Sequence, residues 1–329
     1  METQIQLLAR EFNKSETHVK NVVDLIDEGY SIPFIARYRK EIHGTMDDTT
    51  LRDLADRLAY LRSLAQRREE IKKAIAAQDK LTGELEKAID EAKTLAVLED
   101  LYRPYKQKRR TRATIAKEKG LEPLADQIFA QGKELPAPER LAQAFLDPEK
   151  GVNTVEEALA GASDIIAENV SDDANIRQKL RDVIAKNAKV GSAATKEEDS
   201  VYSLYYKFDQ PMSRLQSHQI LAINRGEKEG FLKVSLDLDR ELALEAVKRS
   251  VVKPGSAASK FVEAASEDAY DRLIYPSMER ETRAALTDLA NEGAIHNFAL
   301  NLKPLLMQPP VKGHVTMGLD PGYRNGCKV

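Results

Sequence analysis

The chain has 329 residues, enough for two or three domains that each bury their own core. Hydrophobics at 42%, charges at 31% and aromatics at 6% describe a helix-rich composition, and with no run of 18 apolar residues a membrane span is excluded. A net charge of -3 gives no overall pull towards nucleic acid or anionic lipid, and a single cysteine, Cys327, excludes an internal disulfide and a cysteine-based zinc site.

The N-terminus, METQIQLLAR, lacks the basic start and apolar core of a signal peptide, so the expected location is the cytoplasm. Residues 5–26 follow a helix-turn-helix pattern. Leu8, Ala9 and Phe12 form one inner face, Asn13 suits a left-handed turn, Ser15 caps the second helix, and Val19, Val22 and Val23 point inward. The outward residues Glu16, Thr17, His18, Lys20 and Asn21 are not strongly basic, so the motif fits a structural corner at least as well as a base-reading helix. Pro33 opens a short helix with Phe34, Ile35 and Tyr38 inward; Arg37, Arg39 and Lys40 gather near its end, to meet phosphate or to complement the helix C-terminus.

From Asp48 to Lys80 apolar residues recur at steps of three and four (Leu51, Leu54, Leu58, Leu61, Ala65, Ile71, Ile75), which predicts one helix of roughly 45 Å. Thr82-Gly83 breaks it, and Leu85, Ile89, Ala92, Leu95, Leu98 and Leu101 predict a single returning helix, making a projecting antiparallel hairpin. Where that helix ends, the ten residues from Arg103 to Arg112 hold six basic side chains and no acid. Cations so dense repel one another unless a polyanion or acids elsewhere in the fold neutralise them. Tyr102 and Tyr105 suit either base stacking or the helix core.

Further helices are expected at about 121–131, 138–147, 154–170 and 172–189, the last capped by Ser171. Residues 191–200, GSAATKEEDS, read as a linker. In SHQILAINRGE, His218, Asn224, Arg225 and Glu227 look like a catalytic group. The apolar side of Ile220, Leu221 and Ile223 instead predicts a helix ended by Gly226 as a left-handed cap, with Arg225 anchoring the junction to a carboxylate. Phe231–Leu238 alternates as a strand, and helices follow at about 240–251, 256–274 and 276–292, the helical part stopping at Pro309-Pro310. The last stretch, VTMGLDPGYRNGCKV, reads as a short strand ending on Asp320, a turn and the start of a second strand. Two such strands cannot make a stable sheet, so the chain is expected to be the N-terminal part of a longer protein.

With these motifs in view, the chain resembles the Tex family of bacterial transcription accessory proteins over its whole length. The likeness rests on IPFIARYRKE (Ile32 to Glu41), LEDLYRPYKQKRRTRATIAKEKGLEPLA (Leu98 to Ala125), SHQILAINRGEKEG (Ser217 to Gly230), MERETRAAL (Met278 to Leu286), NLKPLLMQPP (Asn301 to Pro310) and GLDPGYRNGCK (Gly318 to Lys328). The resemblance implies an elongated, largely helical multi-helix array with helix-turn-helix character, followed by an RNase H-like domain of the YqgF type; together with the periodicity above, the expected fold is mainly α with a long antiparallel helical hairpin, plus the first strands of a truncated RNase H-like domain. The resemblance also implies helix-hairpin-helix and OB-type RNA-binding domains further on. The corresponding division is 1–192 for the N-terminal helical region, 193–312 for the central helical region and 313–329 for the start of the RNase H-like domain. Two departures stand out: Gln219 replaces the family's usual Arg, and His43-Gly44-Thr45-Met46-Asp47 replaces a Thr-Gly-Gly-Leu-Asp run, marking a loop that tolerates change. Because the family's RNase H-like domain is generally considered to lack a working acid set, Asp320 is no sign of nuclease activity.

The functional expectation is a non-catalytic, nucleic-acid-associated scaffold binding RNA or DNA weakly and without sequence preference, in the company of the transcription machinery. Its expected contacts are Arg37, Arg39, Lys40, Arg103, Lys106, Lys108, Arg109, Arg110 and Arg112. No metal, cofactor, small-molecule substrate or membrane is expected: the five histidines are scattered, and no HExxH, GxSxG or phosphate-loop pattern occurs. The alternatives are a metal-dependent nuclease completed by residues beyond Val329 and a pure protein-interaction module.

Overall fold

Side chains that cap helix ends set where the first elements begin. In the computed structural model, which describes residues 3–309 except 197, together with 312–319, 322 and 326, the chain is mainly α. Its helices are α1 (Gln4–Glu11), α2 (Glu16–Asp27), α3 (Ile32–Tyr38), α4 (Asp48–Ala76), α5 (Gly83–Glu91), α6 (Leu95–Tyr102), α7 (Arg112–Glu118), α8 (Glu122–Ala130), α9 (Pro138–Ala142), α10 (Val155–Asp172) and α11 (Ala174–Asn187). Then come β1 (Lys189–Ala194), β2 (Lys207–Pro211), α12 (Ser217–Lys228), β3 (Leu232–Asp237), α13 (Arg240–Val251), α14 (Ser259–Asp268) and α15 (Tyr275–Leu306). Two compact units form, Met1–Leu180 with Leu244–Ile274, and Arg181–Ala243 with Tyr275–Val329.

In the first unit, Thr3 and Gln6 close a capping box on α1, Asn13 takes the left-handed conformation at φ 50°, and Ser15 accepts from the His18 amide to start α2. Leu8, Val19, Val22, Leu25 and Ile35 pack on Leu51, Leu54 and Leu58 of α4. Tyr38 departs from expectation: it is exposed, because α3 buries only the side that carries Ile35. The loop expected to tolerate change is instead packed: His43 is fully buried and its Nδ1 accepts from the Met46 amide at 3.0 Å, Met46 is buried, and Asp47 caps α4.

Helix α4 runs unbroken for 29 residues, as its leucine spacing predicts. The returning limb differs, being two helices split at Ala92–Thr94. The split is stabilised from α4 and from Thr94: Arg68 Nη2 donates to the Ala92 carbonyl at 2.5 Å, the Tyr60 hydroxyl accepts from the Leu95 amide, and Thr94 accepts from the Val97 amide. Leu64, Ile71 and Ile75 pack there on Ile89, Ala92 and Leu98. Further along, α10 buries Ala158, Ala162, Ile165, Ile166 and Val170. Ser171 is buried inside α10 rather than capping α11, whose cap is Asp173, accepting from the Asn175 and Ile176 amides at 2.8 and 2.9 Å. A π-helical segment, Ala269–Ile274, follows α14.

The second unit holds a three-stranded antiparallel sheet in the order β2-β1-β3, with Val190 paired to Gln210 on one side and Leu236 on the other. The expected linker therefore begins inside a strand: Gly191 to Ala194 belong to β1, the central one. Gly226 is not a left-handed cap but a buried residue within α12, and the positive φ falls on Gly230. A Cβ at 226 would lie 2.6 Å from Leu232 Cδ1 and 3.1 Å from Tyr202 Cδ1, so the glycine is there for close helix–strand packing. Residues 315–319, expected as a strand, have no regular structure, and no strand pairs with them among the described residues; Asp320 lies outside those residues.

Candidate nucleic-acid interface

The basic segment is a loop fixed at both ends. A 3-10 turn at Arg103–Tyr105 extends α6, Gln78 Nε2 donates to the Tyr105 carbonyl at 2.9 Å, and Thr111 caps α7 by accepting from the Thr114 amide at 3.0 Å. Tyr102 and Tyr105 pack against the Leu64–Ile71–Leu98 cluster, so their rings serve the core. Three of the six cations are paired. Arg103 Nε lies 3.1 Å from Asp172 Oδ1, Lys108 Nζ reaches Asp172 Oδ2 and stands 3.4 Å from Glu168, and Arg110 pairs with Glu118 at 2.8 Å. Lys106, Arg109 and Arg112 are exposed and have no ion pair among the described residues.

Arg103 and Lys108 thus hold the loop to the C-terminal end of α10 through Asp172. Burial pushes the Asp172 carboxyl above its ordinary value; Lys108 and Arg103 pull it back, while Glu168 adds to the rise. An open groove beside the loop is lined by Lys106, Lys108, Thr114, Lys117, Asn169 and Asp172. Lys117 pairs there with Glu122 at 2.8 Å.

The second expected group sits at the end of α3. Arg37 and Lys40 are exposed and carry no ion pair among the described residues. Arg39 is half-buried, its Nη1 donates to the Tyr38 carbonyl at 3.2 Å, and its guanidinium carbon lies 5.4 Å from the centre of the Phe34 ring. No hydrogen bond or ion pair among the described residues joins this group to the loop. On α2, Asn21 is occupied structurally, its Nδ2 donating to the Ile42 carbonyl at 3.1 Å.

The residues that mimic a catalytic group in α12 do not form one. Asn224 donates to Thr287 Oγ1 at 2.9 Å, Glu227 pairs with Arg283, and His218 is exposed. Arg225, expected to meet a carboxylate, is exposed with no ion pair among the described residues. No group of three or more His, Cys, Asp or Glu is placed to hold a metal among those residues, and no helix is long and apolar enough to cross a membrane.

Two family descriptions match the chain: "Tex-like protein N-terminal domain" over residues 2–76 and "Tex central region-like" over 134–298. Among relatives, the Bacillus subtilis protein YdcI is 43% identical over 98% of this chain and 46% of its own length. The "Transcriptional accessory protein Tex" of Neisseria gonorrhoeae is 36% identical over 98% of the chain and 43% of its own length. A human "S1 RNA-binding domain-containing protein 1" is 31% identical over 99% of the chain and 34% of its own length. The chain spans less than half the length of each of these relatives.

Proposed function

This chain belongs to the Tex family, and from that premise we propose that it is a non-catalytic, nucleic-acid-associated part of a transcription protein. It holds the phosphate backbone of RNA or DNA weakly and without sequence preference, through Lys106, Arg109 and Arg112. The observation that carries this reading is their freedom: Lys106 and Arg109 on a loop with both ends fixed, and Arg112 at the first position of α7, are exposed and have no acid partner among the described residues. Arg103, Lys108 and Arg110 act as the loop's support, their charge being offset by Asp172, Glu168 and Glu118. Flexible cations on a loop meet phosphates, which carry no sequence information, so the binding they give is indifferent to sequence. The names of the Neisseria and human relatives, one a transcriptional accessory protein and the other carrying an RNA-binding domain, support the same setting.

The test is fluorescence anisotropy with labelled single strands and duplexes at low salt, for the parent and for Lys106→Ser/Arg109→Ser/Arg112→Ser. We expect the triple variant to bind about ten-fold more weakly or worse on every sequence tried. Equal affinity in a variant that keeps its helical circular dichroism overturns the assignment.

A further inference from the structure

Tyr30, Phe34 and Tyr38 recur at a spacing of four from the turn before α3 to its last residue, so their rings fall in one row. The Tyr30 and Phe34 ring centres are 5.0 Å apart and nearly parallel, at 10°, and Phe34 and Tyr38 follow at 5.1 Å and 46°. Aromatic rings usually bring most of their area into a core. Here Tyr30 is 39% and Tyr38 61% exposed, and neither hydroxyl has a hydrogen-bond partner among the described residues. The Arg39 guanidinium lies over two of these rings, 5.9 Å from the Tyr30 centre and 5.4 Å from that of Phe34, and its Nη1 donates to the Tyr38 carbonyl at 3.2 Å. Arg37 and Lys40, exposed and unpaired among the described residues, leave from the same turn of chain.

We propose that the row of Tyr30, Phe34 and Tyr38 is a stacking platform for the unpaired bases of a single strand, with Arg37 and Lys40 meeting its phosphates. Every base has a flat π-face, so exposed rings flanked by cations take single strands of any sequence, whereas a duplex keeps those faces inside its own stack. An apolar protein segment is the poorer occupant, since it leaves Arg37 and Lys40 unmatched. Between residues 28 and 41 the three cations face two acids, Glu28 and Glu41. With so small an excess, stacking rather than charge supplies most of the affinity at this row. The inference rests on the nucleic-acid reading above but assigns a different surface, one that discriminates single strands from duplexes.

The experiment compares a fluorescent oligothymidylate of roughly 12 nucleotides with an abasic strand of equal length, which keeps the phosphates and lacks the bases. In Tyr30→Ser/Tyr38→Ser we expect affinity for oligothymidylate to fall about five-fold or more for each ring. Affinity for the abasic strand and the salt slope should stay at the parent's values, whereas the loop variant flattens the slope on both strands. Photocrosslinking of the parent chain to a strand carrying 5-iodouracil should place adducts on Tyr30 and Tyr38. If the tyrosine variant matches the parent on oligothymidylate and the adducts fall only in the basic loop, the platform is overturned while the loop stands. A parent chain that binds neither strand overturns both.

Discussion

Arg177 in α11, 1% exposed, donates from Nε to Asp100 Oδ1 in α6 at 2.8 Å, and Asp100 is itself only 5% exposed. The pair joins the helix that leads into the basic loop to the helix that follows its support, α10. A buried pair of this kind contributes little beyond an apolar pair of the same volume, but removing one partner breaks a charge-assisted hydrogen bond that is shielded from water.

Asp100→Ala or Arg177→Ala should therefore each lose about 3 to 5 kcal/mol of stability in urea unfolding, with the m-value unchanged. Single-variant costs under about 1 kcal/mol would contradict this role.

Asp172 gives a pH dependence whose sign is fixed by burial. Lys108 and Arg103 face its carboxylate and favour the charge, while Glu168 and desolvation oppose it, and desolvation is the largest effect. Because the folded carboxyl lies above its unfolded value, its contribution is fully present below the unfolded value and is lost as pH rises through the folded one. The chain with Asp172 should lose stability relative to Asp172→Asn as pH rises above the ordinary carboxylate range. The constant offset from lost ion pairs does not affect that slope. A relative gain with rising pH would show that the two cations outweigh burial.

How far the sequence revealed this arrangement depends on the range of the interactions. Helix α4 was legible because Leu51, Leu54, Leu58 and Leu61 repeat with the turn of the helix. Its return was misread as one helix because Ala92 and Leu95 continue the apolar rhythm, whereas the split is held by Arg68, 24 residues from the carbonyl it meets. Strand β1 hid in small residues, KVGSAA, whose strand character comes from two partners and not from alternation. In the loop, the cluster was plain but its sorting was not: Asp172 lies 64 residues from Lys108, and no local pattern tells which cations it takes. The row at Tyr30, Phe34 and Tyr38 did leave a signal, a spacing of four, obscured by reading Tyr38 as core.

Gly226 tests the packing of α12 on β3. Alanine in mid-helix ordinarily stabilises by up to about 1 kcal/mol over glycine. With Leu232 Cδ1 2.6 Å from the added Cβ, Gly226→Ala should instead destabilise by about 1 to 3 kcal/mol in urea unfolding. A gain in stability would mean that Leu232 moves aside freely.

The salt dependence of binding tests the role of the basic loop most directly. With Lys106, Arg109 and Arg112 each meeting a phosphate, log affinity should fall with log salt, and Lys106→Ser/Arg109→Ser/Arg112→Ser should flatten that slope by roughly 2 to 3 on single strand and duplex alike. Changing the paired Arg110 alone should flatten it by clearly less than one. A triple variant that folds as the parent does and keeps the parent's slope contradicts the assignment of this loop to nucleic acid.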